Sequence, residues 1–172
     1  MFGLPSVHMF VLGIDPGLTT TGYGLVRRGR SLEAISAGVI RTDPLRLLAD
    51  RLLELHAGIS SLINEHKPDA VAIETMFTNR NLQTAAAVGR AAGVAILAAA
   101  QKQVPVFEYV PTIVKSAITG DGSADKRMVA TMVGKRLGIA PPSPADAADG
   151  LAVAICHLQS LKVGTDLARM KR

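Results

Sequence analysis

VLGIDPGLTTTGYG, residues 11–24, decides the reading of this chain. Phe10, Leu12 and Ile14 alternate with Val11, Gly13 and Asp15, the period-2 pattern of a strand with one bulky face and one smaller face. Pro16-Gly17 turns the chain, and a second strand-like run, Thr19 to Val26, follows. Asp15 therefore closes the first strand on its small-residue side. Strands are depleted in aspartate, so this one either initiates the Pro-Gly turn or does chemistry. Whether other carboxylates reach the same place separates the two readings.

Outward from this hairpin the elements follow in order. The spacing predicts strands over Met9 to Asp15, Gly22 to Arg28 and Leu32 to Arg41, an antiparallel meander with a tight basic turn at Arg28-Gly29-Arg30. Leu45, Leu48, Leu52, Leu55, Ile59, Leu62 and Ile63 recur at helical spacing, predicting an amphipathic helix from Pro44 to His66 that Pro68-Asp69 stops. Ala70 to Glu74, AVAIE, reads as a buried strand, parallel to the first because a long helix precedes it. Asn81 to Gln101 is an alanine-rich helix, Val104 to Val110 a fifth strand, and Pro111 suits the first turn of a helix. Ser123 is the expected N-cap of a helix over Ala124 to Leu137. A last helix is expected over Ala145 to Leu161. The order βββαβαβαα gives an α/β fold, a five-stranded mixed sheet with three antiparallel strands and then two parallel ones, flanked by helices. In that layout ligands sit at the carboxyl ends of strands.

Glu74 ends the AVAIE strand with Ala72 beside it, as Gly13 stands beside Asp15, and small neighbours leave room for a ligand. Adjacent parallel strands lie about 4.7–4.9 Å apart, so Asp15 and Glu74 are expected to be neighbours. Asp146 and Asp149, three apart at the start of the last helix, share one face. The helix macrodipole alone accounts for acids there. Four acids gathered without a counter-ion repel one another, however, and such a set makes sense around divalent metal. All-oxygen ligation suits Mg²⁺ or Mn²⁺ rather than zinc. Two ions about 3.5–4 Å apart would clamp a phosphodiester.

GIDPG, AIE followed by a phenylalanine, PVFEY, GSADK and ADAAD, in this order and spacing, resemble the RuvC family of bacterial Holliday-junction resolvases, within the ribonuclease H-like superfamily. The likeness covers about Met9 to Leu161. It implies a homodimer that cuts two symmetric strands of a four-way DNA junction during recombination and repair, alongside the branch-migration proteins RuvA and RuvB. It implies catalytic, metal-holding carboxylates at Asp15, Glu74, Asp146 and Asp149, with Mg²⁺ as cofactor, two ions per site, and Mn²⁺ as a substitute. Among DNA-contacting positions, Phe77 would stack on an unpaired base, Arg80 would meet phosphate, and Lys115 and Lys126 match basic positions of the family. Core packing for Phe77 and solvated helix positions for the lysines are the alternatives. Lys126 at a helix start is a poor place for a cation by the dipole rule, which favours function. Gly89 and Gly93, four apart, leave a smooth helix face as the candidate dimer contact, with intrachain packing as the alternative.

Composition sets the outer bounds. At 172 residues and 48% apolar, the chain is one globular domain, not a disordered one. Its net charge of +5 favours an anionic partner. One cysteine, Cys156, excludes an internal disulfide and suits a reducing, cytoplasmic setting. It reads as a small core residue. No Cys/His metal cluster, Ser-His-Asp set or secretory signal is evident; His157 reads as packing or surface, and Asp121 and Asp125 as loop and first-turn acids. The longest apolar run, Ala91 to Ala100, falls short of a membrane span, so no membrane partner is expected. Residues 1–8 read as an extension or cloning remnant, 9–161 as the nuclease domain and 162–172 as a basic tail. Two other classes compete. A non-cleaving DNA-binding relative would lack an acid, and all four are present. An actin-like phosphotransferase shares the opening motif but needs two such domains.

Overall fold

The computed structural model describes residues 9–76 and 81–161. Strands β1 (Met9–Asp15), β2 (Thr20–Arg28) and β3 (Leu32–Arg41) form the meander, followed by α1 (Leu48–His66), β4 (Ala70–Glu74), α2 (Leu82–Gln101) and β5 (Val106–Tyr109). Three helices follow among the described residues: α3 (Pro111–Thr119), α4 (Lys126–Leu137) and α5 (Ala145–Ser160). The sheet runs β3-β2-β1-β4-β5, with β1 antiparallel to β2 and parallel to β4, and β4 parallel to β5. β1 is therefore the central strand.

Alternation along the strands divides the core between the two faces. Leu12, Ile14, Leu25, Val71 and Ile73 pack under α1 and α2, against Leu55, Ile59, Ile63, Ala91 and Ala95. Val11, Val26, Ala70 and Ala72 face the other way, onto α3, α4 and above all α5. Every residue of α5 from Gly150 to Leu158 is buried, as expected of a helix apolar on all sides. Cys156 is a buried core residue.

Several expectations are corrected. The element order is βββαβαβααα, because Pro111–Thr119 is a helix in its own right. α1 starts at Leu48 rather than Pro44: the Asp43 carboxylate accepts from the Leu45 amide and its carbonyl from that of Arg46, holding a turn that leaves Leu45 and Leu47 in solvent. α4 is capped by Asp125, which accepts from the Met128 amide; Ser123 is engaged by Asp121 instead. By length and composition α2 is apolar enough to cross a membrane, contrary to the run-length reading. Here one of its faces is packed into the core through Ala91, Ala95, Ala98 and Ala99.

The space beside Gly13 is filled by protein, not left for a ligand. A Cβ on Gly13 would overlap the Gly150 carbonyl and the Ala154 backbone, and one on Gly22 would overlap the backbone of Asp146. Glycines here let α5 lie directly on the backbones of β1 and β2. That close approach brings the start of α5 to the end of β1.

Candidate metal centre

Each acid reaches the site by a separate structural cause. Asp15 ends β1 opposite Gly22 of β2, and Gly22 has the Asp146 backbone directly over it. Asp146 is thereby placed beside Asp15, and Asp149 follows one helical turn later. The three carboxylates offer oxygens that all lie within 4.8 Å of one another. Glu74 comes from the parallel neighbour: β1 and β4 run in register to Ile14 and Ile73, and the next step aligns Asp15 with Glu74. Asp15, Glu74 and Asp149 line one open cleft of about 190 Å³, whose other walls are Met76, Pro111, Val114, Lys115, Lys126, Val129 and Ala152.

The electrostatics are those of an under-neutralised cluster. Burial, then the charge of Asp149, pushes the Asp15 carboxyl up to about 7, with Asp146 adding to the rise and Lys126 opposing it. Glu74 is also raised to about 7, by burial first and then by Asp15 and Asp149, against the pull of Lys126 and Lys115. Lys126 is the cation in contact: its Nζ donates to Asp149 Oδ2 at 2.9 Å and lies 3.9 Å from Asp146 Oδ1. The hydrogen bond to Asp149 holds its ammonium above the usual lysine value. One ammonium in contact and a second, Lys115, on the same cleft leave four carboxyls with a deficit of positive charge. Hard oxygen donors from separate elements, crowded on a cleft wall, fit a divalent cation such as Mg²⁺ or Mn²⁺.

The sequence-predicted acids thus occupy one place, and Lys115 and Lys126 stand on the same cleft. Phe77 and Arg80 lie outside the described residues. Asp121 accepts from the amide and hydroxyl of Ser123, and Asp125 is a cap, so both are structural. His157 is wholly buried, its Nδ1 2.7 Å from the Tyr109 hydroxyl and its ring against Phe107. Burial, then the charge of Arg28, lowers its pKa to about 4, so it packs as neutral imidazole. Sequence reasoning missed the apolar walls Pro111, Val114, Val129 and Ala152. Val114 and Ala152 follow helical core periodicity, and only the meeting of α3, α4 and α5 turns part of that surface toward the acids.

A family model described as crossover junction endodeoxyribonuclease RuvC matches residues 11–157. A relative of that name from Salinispora arenicola is 48% identical over 153 residues, 87% of this chain and 87% of its own length. Another, from Syntrophomonas wolfei, is 48% identical over 162 residues, 92% of this chain and 94% of its own. Among solved structures, T. thermophilus RuvC in complex with Holliday junction substrate superposes with a TM-score of 0.82 at 38% identity, covering 88% of this chain and 93% of that one. The yeast mitochondrial Holliday junction resolvase Ydc2 shares the fold, with a TM-score of 0.60 at 13% identity over 94% of this chain and 81% of its own. The expected ribonuclease H-like sheet and its flanking helices are borne out.

Proposed function

The chain belongs to the RuvC family of crossover junction endodeoxyribonucleases, and on that premise we propose that it resolves four-way DNA junctions by hydrolysing phosphodiesters in two symmetric strands. The observation that carries the reading is the convergence of Asp15, Asp146 and Asp149 within 4.8 Å on a cleft that Glu74 shares. Asp15, Glu74, Asp146 and Asp149 would hold Mg²⁺, two ions per site, with Mn²⁺ as a substitute. When bound, the metal supplies Lewis acidity that activates water and offsets charge on the leaving oxygen.

The chain's own residues do the rest. Deprotonated Asp15 and Glu74 supply the ligand charge, so the raised values of both tie the competent state to neutral or alkaline pH. Lys115 draws the phosphate backbone into the cleft, and Lys126, on the facing helix, does the same. Phe77 stacks on a base unpaired at the junction centre and Arg80 meets phosphate beside it. The chain's +5 net charge supports such contacts. Residues 9–161 form the nuclease unit, 162–172 a basic tail and 1–8 an extension ahead of it.

A four-way junction has two equivalent strands, which a two-fold dimer meets with one site each. Gly89 and Gly93 are exposed, and a Cβ at either would meet nothing within 4 Å beyond its own helix among the described residues, which disfavours intrachain packing as their purpose. With exposed Leu82 and Leu97 they supply an apolar helix face for a second copy. The reading carries a cytoplasmic setting and the branch-migration proteins RuvA and RuvB as partners. The test offers a synthetic four-way junction and a linear duplex, each with Mg²⁺ and with chelator. Symmetric cutting of the junction alone, in Mg²⁺ alone, is expected; equal cutting of the duplex, or cutting in chelator, would overturn the reading.

A further inference from the structure

Lys126 does something in this structure that contact with DNA does not explain. Its ammonium sits among the acids, donating to Asp149 Oδ2 at 2.9 Å and lying 3.9 Å from Asp146 Oδ1. Those are two of the three carboxylates whose oxygens gather within 4.8 Å. A carboxylate oxygen engaged by an ammonium at hydrogen-bonding distance has lost much of its capacity to ligate a metal.

The placement is also reversible by construction. Lys126 is the first residue of α4, where the helix dipole disfavours a cation, so the pull of the acids is what offsets that position. The helix start is fixed independently by Asp125, which accepts from Met128 and does not depend on the lysine. The Lys126 side chain is 67% exposed, whereas that of Asp149 is 16% exposed. The acid is largely enclosed and the lysine is open to solvent.

We propose that Lys126 is a built-in counter-cation that occupies Asp149 and Asp146 until a divalent metal displaces it, so that its ammonium is released into the cleft only when the site is loaded. The inference rests on the metal-dependent reading of the acids. Lysine and metal are then mutually exclusive on Asp149, and the group that neutralises the resting site becomes available to a DNA strand on loading. Lys115 stands on the same cleft without an ion pair to Asp146 or Asp149 among the described residues, and is the internal control.

Calorimetric titration with Mn²⁺, without DNA, tests the competition in wild type, Lys126→Gln and Lys126→Arg. Removing a charged hydrogen bond that the metal must break is expected to tighten Mn²⁺ binding by Lys126→Gln on the order of tenfold. Lys126→Arg, which keeps a charged donor, is expected to stay near wild type. Because loss of charge alone also favours a cation, amine acylation read by mass spectrometry supplies the second measurement. Lys126 is expected to become several-fold more reactive when Ca²⁺ is added, with Lys115 little changed. Equal or weaker Mn²⁺ binding by Lys126→Gln, or Lys126 reactivity that stays constant or falls with Ca²⁺, would overturn the displacement while leaving the metal site intact. Wild type that binds no divalent cation would take down the metal-dependent reading as well, which distinguishes the two failures.

Discussion

Replacing Asp15 by asparagine is expected to stabilise the metal-free protein while abolishing cleavage. The Asp15 carboxyl has its pKa raised from 3.8 to about 7, by burial first and then by Asp149. The folded chain therefore binds more protons than the unfolded one between those values, and this group's contribution to stability falls as pH rises through that window. At about 1.4 kcal/mol per tenfold change in proton affinity, holding Asp15 ionised at pH 8 costs the fold about 4 kcal/mol. An amide left without a full set of partners returns about 2 kcal/mol of that, for a net gain of about 2 kcal/mol. For a chain of this length the gain raises the melting temperature by about 4–8 °C. At pH 5 only about 2 kcal/mol of the ionisation cost remains, and the advantage of the amide should vanish. Thermal melts followed by circular dichroism in chelator at pH 8 and pH 5 are the assay. Saturating Mg²⁺ should raise the wild type toward the variant by mass action. An Asp15→Asn variant that melts at or below wild type at pH 8, or a gap equal at both pH values, would refute the reasoning. Junction binding by the same variant, in a gel-shift assay, is expected to persist.

The same geometry sets further outcomes. Asp15 and Glu74 both lie near 7, so Mn²⁺ affinity should fall about tenfold or more between pH 8 and pH 6; calorimetry in buffers of different ionisation enthalpy should register the released protons. Gly22→Ala forces a Cβ into the Asp146 backbone and is expected to destabilise by about 1–3 kcal/mol and to weaken Mn²⁺ binding. A wild-type melt and affinity would count against the seating of α5 described above. A Cβ at Gly93 would meet nothing within 4 Å beyond its own helix among the described residues, so Gly93→Glu should fold normally, gaining up to about 1 kcal/mol of helix propensity, yet it is expected to sediment as a monomer where the proposed dimer interface makes wild type sediment as a dimer.

Much of this was legible in the chain because the decisive elements are short and sharply bounded. AVAIE between Pro68-Asp69 and a polar loop admits one strand, and its observed bounds are Ala70–Glu74. Asp15 and Glu74 were found because each ends a strand on its small-residue face, and Asp146 and Asp149 because they share one face at the start of the last helix. Other features depended on competition between equivalent local signals. Leu45 continues the apolar period of α1, but Asp43 takes the nearby amides for a turn. Ser123 and Asp125 are both good caps, and the choice fell to Asp125 because Asp121 claims Ser123. Gly13 reads equally as space for a ligand or as a seat for backbone; only tertiary structure shows Gly150 and Ala154 resting on it.

The place of α5 in the chain has a consequence for synthesis. The last helix among the described residues, Ala145–Ser160, lies on the first strands, and it carries Asp146 and Asp149. While α5 is still inside the ribosome, the nascent polypeptide has β1 uncovered on one side and only Asp15 and Glu74 of the acids. Contacts so distant in sequence form late. A DNA-cutting enzyme built in this way completes its set of four acids only when translation has delivered α5.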